Sequence, residues 1–174
     1  LDNAVAQWQI GRAVPIPGVS GRGQADPGFL PAQVTRMFLR RIIEFQPGPT
    51  EQHAWAAESR HRRAPAGPAV KYQLEWFHHD KSDPRLRRGD VLVFVTADEW
   101  LHPPAVVDSE AIAIPRSPFA IGHLLRSRTD LDPIPVPVAE QILADAGHPN
   151  PRLKADHRIA SPSLRAAVLG LWNL

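Results

Sequence analysis

Two runs stand out along the 174-residue chain: Val70-Lys-Tyr-Gln-Leu-Glu-Trp-Phe77, where apolar and polar positions alternate, and Val91-Leu-Val-Phe-Val95, which is apolar throughout. Alternation with period two marks a strand with one buried face, and a short unbroken run of β-branched and aromatic residues marks one buried on both. They predict strands over 70–77 and 90–97, and Val106, Val107, Ile112 and Ile114 predict a third over 105–114. The polar insert from His78 to Asp90 then reads as an exposed hairpin loop that contacts a partner.

Helical spacing appears on either side of this middle region. Val34, Met37, Phe38, Ile42 and Phe45 predict a helix from Ala32 to Phe45, with Pro31 suited to its first turn. The same stretch also alternates as a strand would, and Gln46-Pro-Gly-Pro49 stops either element. Glu51 to Arg63 reads as a short surface helix capped by Thr50, and Phe119 to Leu125 as a further helical segment. Pro137 opens a helix through Ala146 that Gly147 closes. A last helix over Ser163–Trp172 puts Leu164, Val168, Leu171 and Trp172 on one face, with Ser161 or Ser163 as cap. A short strand is expected over Gln7–Val14.

Proline and glycine set the boundaries. Pro15 to Gly28 holds three prolines and four glycines and is expected to run as an extended arm. Ala64-Pro-Ala-Gly-Pro68 is a linker, and the alternating prolines of Leu131-Asp-Pro-Ile-Pro-Val-Pro137 impose polyproline II geometry. The fold class that follows is α+β: one domain over 1–174 with a small β-rich, barrel-like core, two to four flanking helices and Pro-rich arms. Its parts are an arm over 1–31, a helical segment and linker over 32–68, the β core over 69–115, and a Pro-rich connection with C-terminal helices over 116–174.

Composition narrows the chemistry. A hydrophobic content of 43% with 22% charged residues is that of a globular chain, and no apolar run nears the roughly 18 residues of a membrane-spanning helix. No secretory leader is seen, so a cytoplasmic or virion location is expected. With no cysteine, disulfides, thiolate metal sites and cysteine nucleophiles are excluded. The net charge is only +2, but 17 arginines stand against three lysines, Lys71, Lys81 and Lys154. The planar guanidinium fork suits phosphate and carboxylate better than a point charge does. Clusters occur at Arg36/Arg40/Arg41, Arg60/Arg62/Arg63 and Arg85/Arg87/Arg88. The last two are the candidate nucleic-acid or anion contacts, and Arg36 and Arg40, four apart, share one side of a helix.

His78-His79-Asp80 contains a His-x-Asp spacing, which on a strand puts both ligands on one face. One more histidine, from His102, His123, His148 and His157, would complete a two-histidine, one-carboxylate triad. Gly89-Asp-Val-Leu-Val-Phe94 followed by His102 resembles the distal-histidine strand of the non-heme iron, 2-oxoacid-dependent oxygenases. That resemblance implies a barrel and an iron or other divalent metal. His78 and His102 lie 24 positions apart, too few for the strands that separate the ligands in that family. His157, with Arg165 nearby, has the better spacing, so the candidate metal set is His78, Asp80 and His157.

Other catalytic templates lack parts. Lys154-Ala-Asp-His157 with Asn173 has the Asp-His and Asn of a ββα-metal nuclease without its hairpin or final histidine, and no glycine-rich phosphate loop or Gly-x-Ser-x-Gly elbow is present. Ser82-Asp-Pro-Arg-Leu-Arg-Arg-Gly-Asp-Val-Leu-Val-Phe94 looks like the start of a strand in small β-barrels, among them head-to-tail joining proteins of tailed phages and PUA-like, SH3-like and cupin barrels. In that likeness Gly89 makes the turn and Asp90 is exposed. The leading expectation is therefore a non-enzymatic assembly or binding protein, such as a virion component, with other subunits or its own copies as partners and no cofactor. Trp100 and Trp172 are its candidate partner-binding residues. The alternatives are a barrel-type metal-dependent enzyme using His78 and Asp80, and a PUA-like or SH3-like nucleic-acid binder.

Overall fold

The computed structural model describes residues 28–47, 53–58, 73–79, 85–96, 98–113, 121–128 and 130–174. In chain order the elements are β1 (Met37–Pro47), β2 (His53–Glu58), β3 (Gln73–His79), β4 (Val91–Thr96), β5 (Trp100–Leu101), β6 (Ala105–Val107), β7 (Ile112–Ala113), β8 (Ile121–Arg126), β9 (Ile134–Pro135), α1 (Val136–Asp145), β10 (His157–Arg158) and α2 (Pro162–Gly170). The strands make one mixed sheet in the order β10-β1-β2-β3-β8-β6-β4-β5-β9, with β7 against β8. In addition β4 pairs in parallel with β1, from Met37↔Val91 to Ile42↔Thr96. The fold is thus α+β and β-rich. Among the described residues, no helix is long and apolar enough to cross a membrane.

β4 is a strand because its β-branched and aromatic residues fill both sides of a pleated surface, and Val91 to Val95 are all buried. The turn before it closes from Asp90 N–H to the Arg87 carbonyl at 3.0 Å, and Gly89 takes a φ of +91° that a side chain would strain. Contrary to the sequence-based expectation, Asp90 is buried, 3% exposed. Nor is 78–90 a hairpin loop: β3 pairs with β2 and β8, while β4 pairs with β1, β5 and β6.

Three expected helices are strands. Ala32–Phe45 becomes β1, because its backbone is paired by β4 on one edge and by β10 and β2 on the other, and both its faces are buried at Met37 to Arg40. A strand covered on both faces shows no alternation of polarity, which is why the helical pattern competed. The segment expected as a helix over Glu51–Arg63 contains β2, paired to β1 and β3. Phe119–Leu125 contains β8, bonded to β3, β6 and β7. The single strand expected over 105–114 is broken into β6 and β7. The Pro-rich stretch contributes only β9, whose Ile134 and Pro135 face Leu101 and Trp100. Gln7–Val14, most of the N-terminal arm and the 64–68 linker lie outside the described residues.

The two C-terminal helices match expectation. Past the C-cap of α1, Gly147 N–H bonds the Ala144 carbonyl at 3.0 Å and His148 N–H bonds that of Leu143 at 2.8 Å, a Schellman closure with Gly147 at φ +93°. Ser161 caps α2 by accepting from Leu164 N–H at 3.3 Å. Both helices pack on one face of the strands, where Met37, Leu39, Val91, Val93, Val95, Leu101 and Val106 cluster with Val136, Ala139, Leu143, Val168 and Leu169. The opposite face holds a second cluster: Phe38, Phe77, Leu86, Leu92, Phe94, Ala105, Val107 and Leu125. We call these the helix-covered face and the aromatic face.

Candidate functional site

The aromatic face carries charge where the helix-covered face does not. On β1 the alternation that turns Met37 and Leu39 to the helices turns Phe38 and Arg40 the other way, and in register beside them on β4 stand Leu92 and Phe94. Two guanidiniums lie over the Phe38 ring, with Arg36 Cζ 5.3 Å and Arg40 Cζ 5.9 Å from its centroid.

These two arginines are held differently. Arg36 lies 3.3 Å through Nε from Asp90 Oδ1, and its Nη2 donates to the Arg85 carbonyl at 2.7 Å. Asp90 also accepts from Arg87 N–H at 2.8 Å. Burial pushes its carboxyl above the usual range, against the pull of that N–H and of Arg36, Arg87 and Arg158. Arg40 is 6% exposed, and among the described residues its buried Nε and Nη2 find no acceptor. Those two nitrogens form the side-on edge of the guanidinium, the pair of parallel donors that a two-oxygen anion takes up. Among the described residues no carboxylate forms an ion pair with Arg40.

From Phe94 the face continues as a row of rings. Phe94 and Phe77 centroids are 5.2 Å apart, Phe77 stacks on His79 at 4.8 Å, and His79 stacks on His123 at 5.0 Å. His79 Nε2 and His123 Nδ1 are 2.9 Å apart, so one ring donates and the other accepts, and the tautomers of the two are coupled. Burial, and then the neighbouring His79, pushes His123 down to about 4, against the opposing effects of the Leu86 backbone and Glu110. His123 is therefore a neutral imidazole at pH 7.

The residues expected from sequence fall elsewhere. His78 lies on β3 opposite Gly122, Asp80 lies outside the described residues, and His157 sits on β10 opposite Leu39 with Nδ1 2.7 Å from the Ala155 carbonyl. β10 pairs with β1 and β3 with β2 and β8, so His78 and His157 are not on neighbouring strands. Among the described residues no three His, Cys, Asp or Glu side chains gather as a metal site. Arg85, Arg87 and Arg88 are exposed on the turn before β4, and Arg60, Arg62 and Arg63 lie outside the described residues. Trp100 and Trp172 are 4% and 7% exposed in the single chain, and the Trp172 indole donates to the Asp132 carbonyl at 2.7 Å.

Sequence reading placed Arg40 with Arg36 on one side of a helix, and it passed over His79 as the middle of His-x-Asp. It did name His123 as a possible ligand. A strand assignment for 37–47 was the signal that would have placed Arg40 two positions from Phe38 on a buried face. Compared with protein-family models, with curated proteins and with solved structures, the chain matches none.

Proposed function

We propose that the protein is a non-catalytic binding domain, in which β1, β2, β3, β8, β6 and β4 close as a small barrel whose interior, the aromatic face, takes up an anionic group of a partner. Support for the barrel comes from the pairings, which run through those six strands and return from β4 to β1. Five of the six also contribute side chains to one buried cluster.

The observation that carries the binding reading is the buried, acceptor-less edge of Arg40. Arginine does not shed its proton in proteins, so it cannot escape burial by becoming neutral. A buried unpaired charge costs several kcal/mol, and a fold retains such a group where function needs it. An anion from outside offsets that cost. Arg40→Met is expected to raise the melting temperature of the ligand-free protein, because an apolar side chain of similar length suits the same space. The same change is expected to abolish stabilisation by sulfate, phosphate or acetate at constant ionic strength. Equal stabilisation of both proteins by those salts would mean a general exclusion effect and would count against the site.

A second reading, nucleic-acid contact, rests on the turn arginines. Arg85, Arg87 and Arg88 are exposed, and Arg158, distant in sequence, acts with Arg87 on the same carboxylate of Asp90. If this patch meets phosphates, DNA or RNA retention on a filter falls steeply with salt, and removing Arg87 and Arg88 flattens that slope.

A further inference from the structure

We infer that the outer face of β8 and β7 is a docking surface for the chain's own N-terminal arm, with Trp8, Ile10, Val14 and Ile16 seated on Leu124 and Ile112. This contact is independent of the anion-binding reading.

The surface begins where the helices stop covering the sheet. Val106 of β6 is buried in the cluster beneath α1 and α2, and its register partner on β8 is Arg126. Register partners share a face that recurs at every second residue, so Leu124 lies on the same side as Arg126, away from Leu125 and the aromatic face. The helix-covered cluster takes no residue from β8. Leu124 and Ile112 are left 38% and 37% exposed, and among the described residues only Ile142 is another large apolar side chain so open. The two are diagonal neighbours, since Ile112 pairs with Gly122, which places no side chain between them.

The path of the chain names the occupant. Phe29 is buried in the helix-covered cluster, and the carbonyl of Gly28 just before it accepts from Arg126 Nη1 at 3.1 Å. Followed toward the N-terminus, the backbone thus leaves the covered part of the sheet and arrives at β8, two positions from Leu124. The sequence upstream suits that surface. Trp8, Ile10, Val14 and Ile16 are all even-numbered, so an extended backbone turns the four to one side. Arg12 is the polar exception in that series, and exposed Glu110, two positions before Ile112, offers it a carboxylate. From Pro17 to Pro27 the only branched aliphatic or aromatic residue is Val19, and Gly18, Gly21 and Gly23 let that linker turn. Extended, the linker spans up to about 36 Å, against about 7 Å from Arg126 to Leu124 along β8. So short a tether holds the arm at an effective concentration on the order of millimolar, which favours it over the arm of a second copy at micromolar protein.

The test uses the full chain. Trypsin cleavage after Arg12, followed by mass spectrometry, is expected to be about tenfold slower than in the double variant Trp8→Ser/Ile10→Ser, which leaves every described contact in place. Leu124→Ser is expected to speed the same cut, and if that variant does not fold the arm variant still decides. Because the chain has no cysteine, paired cysteines read the contact directly. Val14→Cys with Leu124→Cys is expected to close a disulfide within one chain about tenfold faster than Val14→Cys with Ile142→Cys, which puts the second thiol at the exposed apolar position of α1. Equal cutting after Arg12 in the parent chain and the arm variant, or equal rates for the two cysteine pairs, would overturn the docking. A disulfide that joins two chains at micromolar protein would overturn it as well, by giving the face to the arm of a second copy.

Discussion

On the helix-covered face, Met37, Leu39, Val91, Val93 and Val95 meet Val136, Ala139 and Leu143 of α1 and Val168 and Leu169 of α2. On the opposite side, the aromatic face keeps Arg40 of β1, His79 of β3 and His123 of β8 buried, with Arg40 over the Phe38 ring and His79 stacked on Phe77. Both faces exclude water, and the second also buries ionisable groups, whose burial costs free energy. β1 and β4 thus divide their residues by parity: Met37, Leu39, Val91, Val93 and Val95 face the helices, and Phe38, Arg40, Leu92 and Phe94 face the other way.

The largest expected effects probe the apolar part of each face. Phe94→Ala should destabilise by about 3–5 kcal/mol and Leu143→Ala by about 2–5 kcal/mol, read from urea unfolding. If Phe94→Ala cost far less than Leu143→Ala, the aromatic face would be loosely packed and the comparison would lose its symmetry.

Acid comes next. Burial pushes His102 down to about 3, and burial followed by His79 pushes His123 down to about 4. In the unfolded chain both protonate below about pH 6.5, while the folded protein keeps them neutral, so the unfolded state binds more protons and stability falls as pH falls from there. For His123 the loss levels off below about 4. Asp90, whose carboxyl is raised, acts in the opposite sense at the acid end. Between pH 7 and 5 each histidine is expected to cost roughly 2 kcal/mol, measured as a lower urea midpoint. His123→Gln should recover its share.

Smaller effects follow at the edges of the two faces. Asp90→Ala leaves Arg36 and the Arg87 N–H without their carboxylate and should cost about 1–3 kcal/mol in urea unfolding. On the other face, Ser161→Ala removes the cap of α2 and should cost about 0.5–2 kcal/mol in thermal or urea unfolding. An Asp90→Ala effect no larger than the cap's would mean that the Arg36 pair is solvated and that charge on the aromatic face is cheaper than its burial implies.

What could be read in the sequence divides along similar lines. α1 and α2 announced themselves because their ends carry Pro137, Gly147 and Ser161, residues whose backbone chemistry fits only helix termini. β3 and β4 were legible from alternation and from an unbroken β-branched run. β1 and β8 were not. In β1 the buried Met37-Phe-Leu-Arg40 run has no polar side to reveal its period, and in β8 the sequence Ile121-Gly-His-Leu-Leu-Arg126 puts exposed Leu124 beside buried Leu125. The site shared that fate. An arginine flanked by another arginine looks solvated in one dimension, and only the pairing with β4 shows that Arg40 alternates inward while Arg41 is exposed.

The position of β1 in the sheet also has a consequence in time. Its partners on one edge are β4, in parallel, and on the other β10, with Arg41 N–H bonded to the carboxylate of Asp156, 115 positions away. Pairings between segments so distant close slowly, and topologies built on them fold over about milliseconds to seconds. Until β4 docks, the Arg40 guanidinium stays hydrated, so the loss of its water shell falls on a late, long-range step.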